Sequence, residues 1–153
     1  MTRNWQITDE VTLKIHEPPL TGDHLGLKTW ASSYLLAKRL ELIGAEHQIK
    51  NPKNDTGDGK DTWFALELGS GTGLVGLAAA AVWQCCVTLT DLPEIVPNLK
   101  RNVNDNLDMI DERGGWGVTM ALDWEDPPFH DITLFRNFRV SCERLLNLII
   151  RRH

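Results

Sequence analysis

Apolar and polar residues follow two different periods in the first third of the chain. In "VTLKIHE", residues 11–17, they alternate, and the β-branched side chains favour a short strand. In "LKTWASSYLLAKRLELIG", residues 27–44, they recur at helical spacing, so that Leu36, Leu40 and Ile43 share one face. This second stretch predicts a helix that ends at its final glycine, a residue typical of helix C-termini.

Beyond a polar, turn-rich stretch at residues 51–62, strand and helix patterns alternate along the chain. The predicted strands are 63–68, 85–91, 115–124 and 130–135, and the predicted helices are 73–83 and 92–107. Strands connected through helices form parallel sheets, because the helix provides the crossover between them. The pattern therefore predicts an α/β fold with a mostly parallel sheet and helices on both faces.

The turn after the first of these strands is rich in glycine. The segment "ALELGSGTGLVGLAAAA", residues 65–81, contains Gly69, Gly71, Gly73 and Gly76. Glycine adopts positive φ and lets a ligand approach the backbone, at an entropic cost to folding. A cluster of this kind indicates a cofactor-binding turn.

Two motifs fit this turn. The first is G-x-G-x-x-G starting at Gly71, the dinucleotide pattern, with Asp91 about 20 residues further on as the ribose-binding acid. The second is E-x-G-x-G-x-G starting at Glu67, where the strand ends. The dinucleotide pattern would leave Glu67 buried in the strand without a partner, at a desolvation cost.

The second motif favours S-adenosylmethionine. Glu67 would then lie at the tip of the strand and face the cationic amino-acid end of this cofactor, directly or through water. The glycines would lie beside a cofactor that has no pyrophosphate. Asp91 would bind the ribose hydroxyls in either case, although it could instead cap the following helix.

Several segments resemble the seven-strand S-adenosylmethionine-dependent methyltransferases. They are "LGLKTWASSYLLAKRL", "LELGSGTGLVGLAA", "VTLTDLPEIVPNLKRNVNDN" and "ALDW", in the order of the family. More narrowly, they are similar to the methyltransferase-like 21 branch of lysine methyltransferase family 16, including its fungal elongation-factor relatives. The resemblance covers roughly residues 10–135. It implies a Rossmann-like class I methyltransferase fold, S-adenosylmethionine as cofactor and protein-lysine N-methylation.

The resemblance also implies a set of cofactor-binding residues. Trp30 would line the pocket, and residues 67–71 would flank the methionine part through Glu67, Gly69, Ser70 and Gly71. Asp91 would hold the ribose, and Leu92 would pack on the adenine. Asp123 and Trp124 would close over the base, where an indole suits a flat apolar ring.

The part of the family pattern that binds the methyl acceptor is missing from this sequence. The family has an Asp-x-x-Tyr or Asp-x-x-Phe motif at the end of its fourth strand, whereas this chain continues from "HDITLF" into "RNFRVSCERLLNLIIRRH". We therefore expect residues 1–135 to be the N-terminal part of a methyltransferase domain that lacks its last strands. No catalytic residue is assigned.

Residues 136–153 are expected to form an atypical basic C-terminal tail with helical character, since Leu145, Leu146 and Ile149 lie among arginines. Three interpretations stay open for it. It could cover the edge of the last strand, act as a targeting or partner helix, or arise from a shifted reading frame, a retained intron or a mispredicted gene end. The abrupt stop of the family pattern within a motif favours the last of these three interpretations.

Composition narrows the class of protein. The net charge is −5 and the three cysteines form no disulfide or zinc pattern. Five scattered histidines indicate no metal site, and no apolar run is long enough to cross a bilayer. We expect a monomer in the cytoplasm, with the nucleus also possible, that binds no nucleic acid or membrane. Its partner would be a protein substrate, such as a translation factor or chaperone-type protein.

Three alternatives to protein-lysine methylation stay open. They are a small-molecule N-methyltransferase, a catalytically inactive cofactor-binding or regulatory fragment, and, with the least support, a nicotinamide dinucleotide protein. Two further expectations concern short segments. Cys85 and Cys86 are expected to fill a buried strand, and residues 100–102, "KRN", are expected to face solvent on their helix.

Overall fold

An N-terminal hairpin precedes alternating helices and strands in the computed structural model, which describes residues 1–19, 25–49 and 64–123. The described strands are β1 (Thr2–Gln6), β2 (Thr12–His16), β3 (Phe64–Leu68), β4 (Cys86–Asp91) and β5 (Trp116–Ala121). The described helices are α1 (Ala31–Glu46), α2 (Leu74–Trp83), α3 (Val96–Asn104) and α4 (Leu107–Glu112), with a 3-10 turn at Leu25–Leu27.

The central sheet has the order β3-β4-β5, and all its described pairs are parallel. Leu66 pairs with Thr88, which pairs with Val118 on its other side. The α/β class and the parallel sheet are therefore confirmed. Because the strands are parallel, their carboxyl ends lie along one edge, where ligand sites form in such folds.

Helices α2 and α3 cover one face of this sheet. Leu89 of β4 is fully buried there, and Leu77 and Leu99 approach it from the two helices. Gly117 of β5 lies under Leu77 and Val103, so the helices pack close to the strand. On the opposite face, four large apolar side chains of the flanking strands are exposed: Phe64, Leu68, Trp116 and Val118.

The N-terminal hairpin pairs β1 with β2 in antiparallel register, from Thr2 opposite His16 to Gln6 opposite Thr12. Its apolar side belongs to the core, where Ile7, Val11, Leu13 and Ile15 are buried. The strand predicted at residues 11–17 is confirmed as β2. The sequence analysis missed β1, whose residues are mostly exposed and carry no alternating apolar pattern.

Helix α1 confirms the predicted helix, but its end and its buried face differ from the prediction. The helix continues to Glu46, so Gly44 is not its stop. Gly44 is instead buried against α2, where an added Cβ would lie 2.8 Å from Nε1 of Trp83. Leu36 is 44% exposed, whereas Leu40 is 3% exposed. The buried face is therefore Ala37, Leu40 and Gly44.

The predicted helix 92–107 is divided in two. A turn at residues 92–95 precedes α3, and α3 ends at Asn104 before the short α4 begins at Leu107. Pro97 lies in the first turn of α3, where its missing N–H has no partner to lose. The sequence predicts one continuous helix here because no residue between α3 and α4 breaks the helical period.

The expectation that "KRN" faces solvent is wrong for Asn102. Lys100 and Arg101 are exposed, but Asn102 is 0% exposed. It belongs to a row of asparagines at i, i+4 and i+8, Asn98, Asn102 and Asn106, whose amides bind the backbone of β2. We call these three residues the asparagine row. It joins the hairpin to α3 through the backbone groups of β2.

The predicted loop 51–62, strand 130–135 and tail 136–153 lie outside the described residues, so both domain boundaries stay predictions. None of the described helices is long and apolar enough to span a membrane. Within residues 1–19, 25–49 and 64–123, no group of three or more histidine, cysteine or acidic side chains is arranged to hold a metal ion.

Candidate functional site

The glycine turn leaves β3 through three residues with positive φ. The φ angles of Gly69, Gly71 and Gly73 are 66°, 58° and 83°, a region that other residues rarely adopt. An added Cβ at Gly71 would lie 2.9 Å from the carbonyl oxygen of Gly26, whereas one at Gly69 would meet no atom of the described residues within 4 Å. The turn is therefore packed against Gly26 on one side and open at Gly69.

Hydrogen bonds fix this turn against β4. The Ser70 N–H donates to the Thr90 carbonyl at 2.9 Å, and the Gly73 N–H donates to the Ser70 carbonyl at 2.8 Å. The Thr90 hydroxyl donates to the Glu67 carbonyl at 2.7 Å. The shape of the turn is thus set by backbone groups at the carboxyl ends of β3 and β4.

Asp91 connects the turn to the end of β4. Its Oδ2 accepts the Gly71 N–H at 2.6 Å, and its Oδ1 accepts the Leu92 N–H at 2.8 Å. Each carboxylate oxygen has a further lone pair, so both can still accept a hydrogen bond from a ligand hydroxyl. Because α3 begins only at Val96, Asp91 does not cap that helix.

A cavity of about 400 Å³ lies beside the turn. That volume falls within the range of about 300–1,000 Å³ typical of small-molecule sites. The residues that line it include six of the predicted cofactor-binding residues, namely Trp30, Gly69, Ser70, Gly71, Asp91 and Leu92. Trp30 is 48% exposed and Leu92 is 36% exposed, so both present apolar surface at the cavity.

Two of the other predicted site residues, Glu67 and Asp123, are not among the described residues that line this cavity. Glu67 lies one residue before the end of β3, with its side chain under Gly76 of α2. Asp123 follows β5 at the same edge of the sheet, next to Leu122, whose N–H donates to the Asp91 carbonyl. Trp124 lies outside the described residues. The roles of these residues stay predictions.

Glu67 is a buried acid directly behind the turn. Its Oε2 is shielded from solvent and has no well-formed hydrogen bond within the described part of the chain. Burial raises the pKa of Glu67 to about 7, and the negative charge of Asp91 adds to the increase. The Ser70 hydroxyl and the Gly76 N–H lie close enough to oppose part of this shift in the pKa.

The sequence analysis missed several residues that line the cavity: Gly26, Lys28, Ser33, Thr72, Leu74, Glu94 and Ile95. The Lys28 ammonium lies 5.5 Å from the ring centroid of Trp30, within the range of a cation–π contact. Lys28 and Glu94 place opposite charges around the opening. Proximity to Trp30 and Leu92 in the sequence was the available signal for these two residues.

The chain is similar in sequence to known protein-lysine methyltransferases. A family model described as lysine methyltransferase matches residues 7–137. The protein-lysine N-methyltransferase rrg1 of Schizosaccharomyces pombe is 38% identical over 129 residues, which cover 84% of this chain and 38% of rrg1. The protein-lysine N-methyltransferase EFM2 of Saccharomyces cerevisiae is 37% identical over 131 residues, covering 78% of this chain and 29% of EFM2.

A mammalian protein shows the same similarity. The protein-lysine methyltransferase METTL21E of Bos taurus is 33% identical over 112 residues, covering 69% of this chain and 33% of that protein. The chain therefore spans about a third of the length of the curated relatives it matches.

Proposed function

The chain belongs to the lysine methyltransferase family, and on that premise we propose that it binds S-adenosylmethionine beside the glycine turn and methylates a lysine of a protein substrate. The observation that carries the proposal is the cavity of about 400 Å³ at the carboxyl ends of β3 and β4. It joins a glycine turn, a carboxylate and an indole at one site.

The donor groups of the cavity fit this cofactor. Gly69 leaves open space where any other residue would have a side chain, so a ligand can approach the backbone of the turn. The Asp91 carboxylate is held by two N–H groups and keeps acceptor capacity for the two ribose hydroxyls. Trp30 and Leu92 offer apolar surface for the adenine.

The charge behind the turn also suits a positively charged ligand. With a pKa of about 7, Glu67 is partly ionised at neutral pH, and its Oε2 makes no well-formed hydrogen bond to another described residue. A nearby cation would favour the ionised carboxylate. We therefore expect cofactor binding to lower the pKa of Glu67.

When bound, S-adenosylmethionine would supply an electrophilic methyl group: the lysine nitrogen would form a bond to the methyl carbon as the carbon–sulfur bond breaks, and S-adenosylhomocysteine would be the leaving group. The amine must be neutral, and free lysine has a pKa of about 10.4, so its proton has to leave before the transfer. The described residues of this chain hold and orient the donor side; the residues that receive the lysine belong to the acceptor side, which we do not assign.

The names of the relatives support a protein as the methyl acceptor. We propose a translation factor or chaperone-type protein as the substrate class, on the resemblance to the fungal elongation-factor relatives. The same proposal implies a cytoplasmic protein, with the nucleus as a second compartment. Incubation of the chain with tritiated S-adenosylmethionine and a ribosome-free cytosolic extract would test the substrate class.

Calorimetric titration of S-adenosylhomocysteine into the 153-residue chain tests the cofactor directly. We expect micromolar affinity for the wild type and a loss of at least about tenfold in Asp91→Ala, since a hydrogen-bonded charged group contributes about 1.5–3 kcal/mol. Glu112→Ala removes an equal charge from an exposed position of α4 and should bind like the wild type.

Circular dichroism on each sample distinguishes a lost contact from a lost fold. A folded wild-type chain that binds no S-adenosylhomocysteine would contradict the proposed function. Equal affinity of Asp91→Ala and the wild type would instead remove Asp91 from the ribose site.

A further inference from the structure

Asn102 is a fully buried polar side chain that touches both the hairpin and the glycine turn. Its Oδ1 accepts the His16 N–H at 2.8 Å, and its Nδ2 donates to the His16 carbonyl at 3.1 Å. The same Nδ2 donates to the Thr72 carbonyl at 2.9 Å. Thr72 lines the cavity, so this amide links the end of β2 to the wall of the site.

A second route joins the same two regions. The hydroxyls of Thr72 and Thr29 are hydrogen-bonded at 2.8 Å, and both residues are buried. The Thr29 N–H donates to Oε1 of Glu17 at 3.0 Å. Because Glu17 follows His16 in the chain, the two routes close into a ring of hydrogen bonds between hairpin, turn and the segment before α1.

This ring lies next to groups that form the cavity. Thr29 stands between Lys28 and Trp30, which both line the opening, and Thr72 follows Gly71. A buried polar group that loses its partner is costly, because it cannot return to water, so each member restrains the next. The ring therefore couples the position of the turn to the position of Trp30.

We propose that Asn102 and Thr29 are positioning residues for the cofactor, which act by holding the glycine turn and the Trp30 segment at a fixed separation. The inference rests on the proposed function, since it assigns to these residues a part in binding S-adenosylmethionine. Neither side chain lines the cavity, so both act through Thr72 and Trp30.

The asparagine row offers a matched control. Asn106 is also buried, accepts the Lys14 N–H at 2.8 Å, and donates to the carbonyls of Lys14 and Asn102 at 2.8 and 2.7 Å. It thus binds the hairpin as Asn102 does, without touching the turn. Asn102→Ala and Asn106→Ala should both lower the free energy of unfolding, but only Asn102→Ala should weaken the cofactor site.

Two measurements on the 153-residue chain test this difference, at a temperature where circular dichroism shows every variant folded. For S-adenosylhomocysteine, we expect Asn102→Ala to raise Kd about tenfold, and Asn106→Ala to leave it within about twofold of the wild type. In the ligand-free protein, the amide protons of Gly71 and Gly73 should exchange about tenfold faster in Asn102→Ala than in Asn106→Ala.

A pair of variants at Thr29 keeps the test decisive if Asn102→Ala does not fold. Thr29→Val keeps the shape of the side chain and removes its hydroxyl, leaving that of Thr72 without its partner, and should raise Kd about fivefold. Thr29→Ser keeps the hydroxyl and should restore binding close to that of the wild type.

The outcomes separate the two proposals. A wild-type chain that binds S-adenosylhomocysteine, with equal Kd and exchange in Asn102→Ala and Asn106→Ala, would overturn the positioning role and leave the proposed function intact. Equal Kd for Thr29→Val and Thr29→Ser would overturn the part assigned to the Thr29 hydroxyl. A folded wild-type chain without affinity would overturn the proposed function and, with it, the positioning role.

Discussion

Glu67 combines two properties that a stable interior normally avoids in one side chain: it is a buried acid, and its Oε2 has no well-formed hydrogen bond to any residue that the structure describes. Gly76 leaves the space that this carboxylate occupies, because any larger residue at that helix position would collide with it. The pKa of about 7 means that the folded protein holds this proton far more tightly than the unfolded chain does.

Glu67 should therefore make stability depend on pH. Since its pKa is raised from 4.5 to about 7, its contribution to the free energy of unfolding is fully present below pH 4.5 and lost as pH rises through 7. Relative to the neutral Glu67→Gln variant, the wild type should lose up to about 3 kcal/mol over that interval. Urea unfolding of both proteins between pH 4.5 and 8 measures the difference. Parallel curves would show that Glu67 titrates normally.

Under the proposed function, the Asp91 carboxylate has a part in both the fold and the cofactor site. Its two hydrogen bonds to backbone N–H groups hold the turn, and its free lone pairs remain for a ligand. A loss of stability in Asp91→Ala is thus expected beside the loss of affinity.

At the scale of elements, the contact between α1 and α2 depends on a missing side chain. Gly44 leaves room for the indole of Trp83, whose Nε1 donates to the Leu40 carbonyl at 2.8 Å. This hydrogen bond holds the ring in place, so the ring cannot easily move away from a larger residue.

Gly44→Ala tests this contact. Alanine favours a helix by about 1 kcal/mol over glycine, but overpacking costs about 1–3 kcal/mol. Because the indole is fixed, we expect overpacking to prevail, with a net loss of up to about 2 kcal/mol in the free energy of unfolding measured in denaturant. Ser32→Ala, on the exposed side of the same helix, should cause no loss. A Gly44→Ala protein more stable than the wild type would contradict the packing described.

The buried face of α1 gives a second test. Leu40→Ala should cost about 2–5 kcal/mol, since it opens a cavity in the core. Leu36→Ala should cost less than about 1 kcal/mol, because a side chain 44% exposed loses little buried area. Chemical unfolding of the two variants compares them under the same conditions. Equal losses would mean that α1 is rotated from the orientation found here.

For the whole molecule, the predictions from sequence are correct where the local residue pattern alone determines the structure that a segment adopts in the fold. The strand predicted at residues 85–91 is β4, and the glycine turn, Asp91 and Trp30 meet at one cavity as the motifs indicated. These features depend on short-range signals: β-branched alternation, glycine spacing, and an acid at the end of a strand.

The failures arise where a residue depends on a partner far away in the chain. β1 has no apolar alternation of its own and exists through its pairing with β2. Asn102 is a polar residue of the kind that normally faces solvent on a helix. Its burial is explained only by the hydrogen bonds of its amide to the backbone of His16 and Thr72. From the sequence alone, Gly44 indicates the end of a helix. Its actual role, to leave room for the indole of Trp83, depends on a residue 39 positions further along the chain.

The asparagine row affects when, during synthesis of the chain, the hairpin can pack against α3. Asn106 binds the backbone of Lys14, which lies 92 residues before it in the sequence, and Asn102 binds that of His16, which lies 86 residues before it. A ribosome adds about 5–20 residues per second, so these asparagines follow the hairpin by roughly 5–20 seconds during synthesis. Until they emerge, the backbone edge of β2 remains open to water or to a chaperone. The hairpin is thus translated before the rest of the described fold and is among the last parts to be completed.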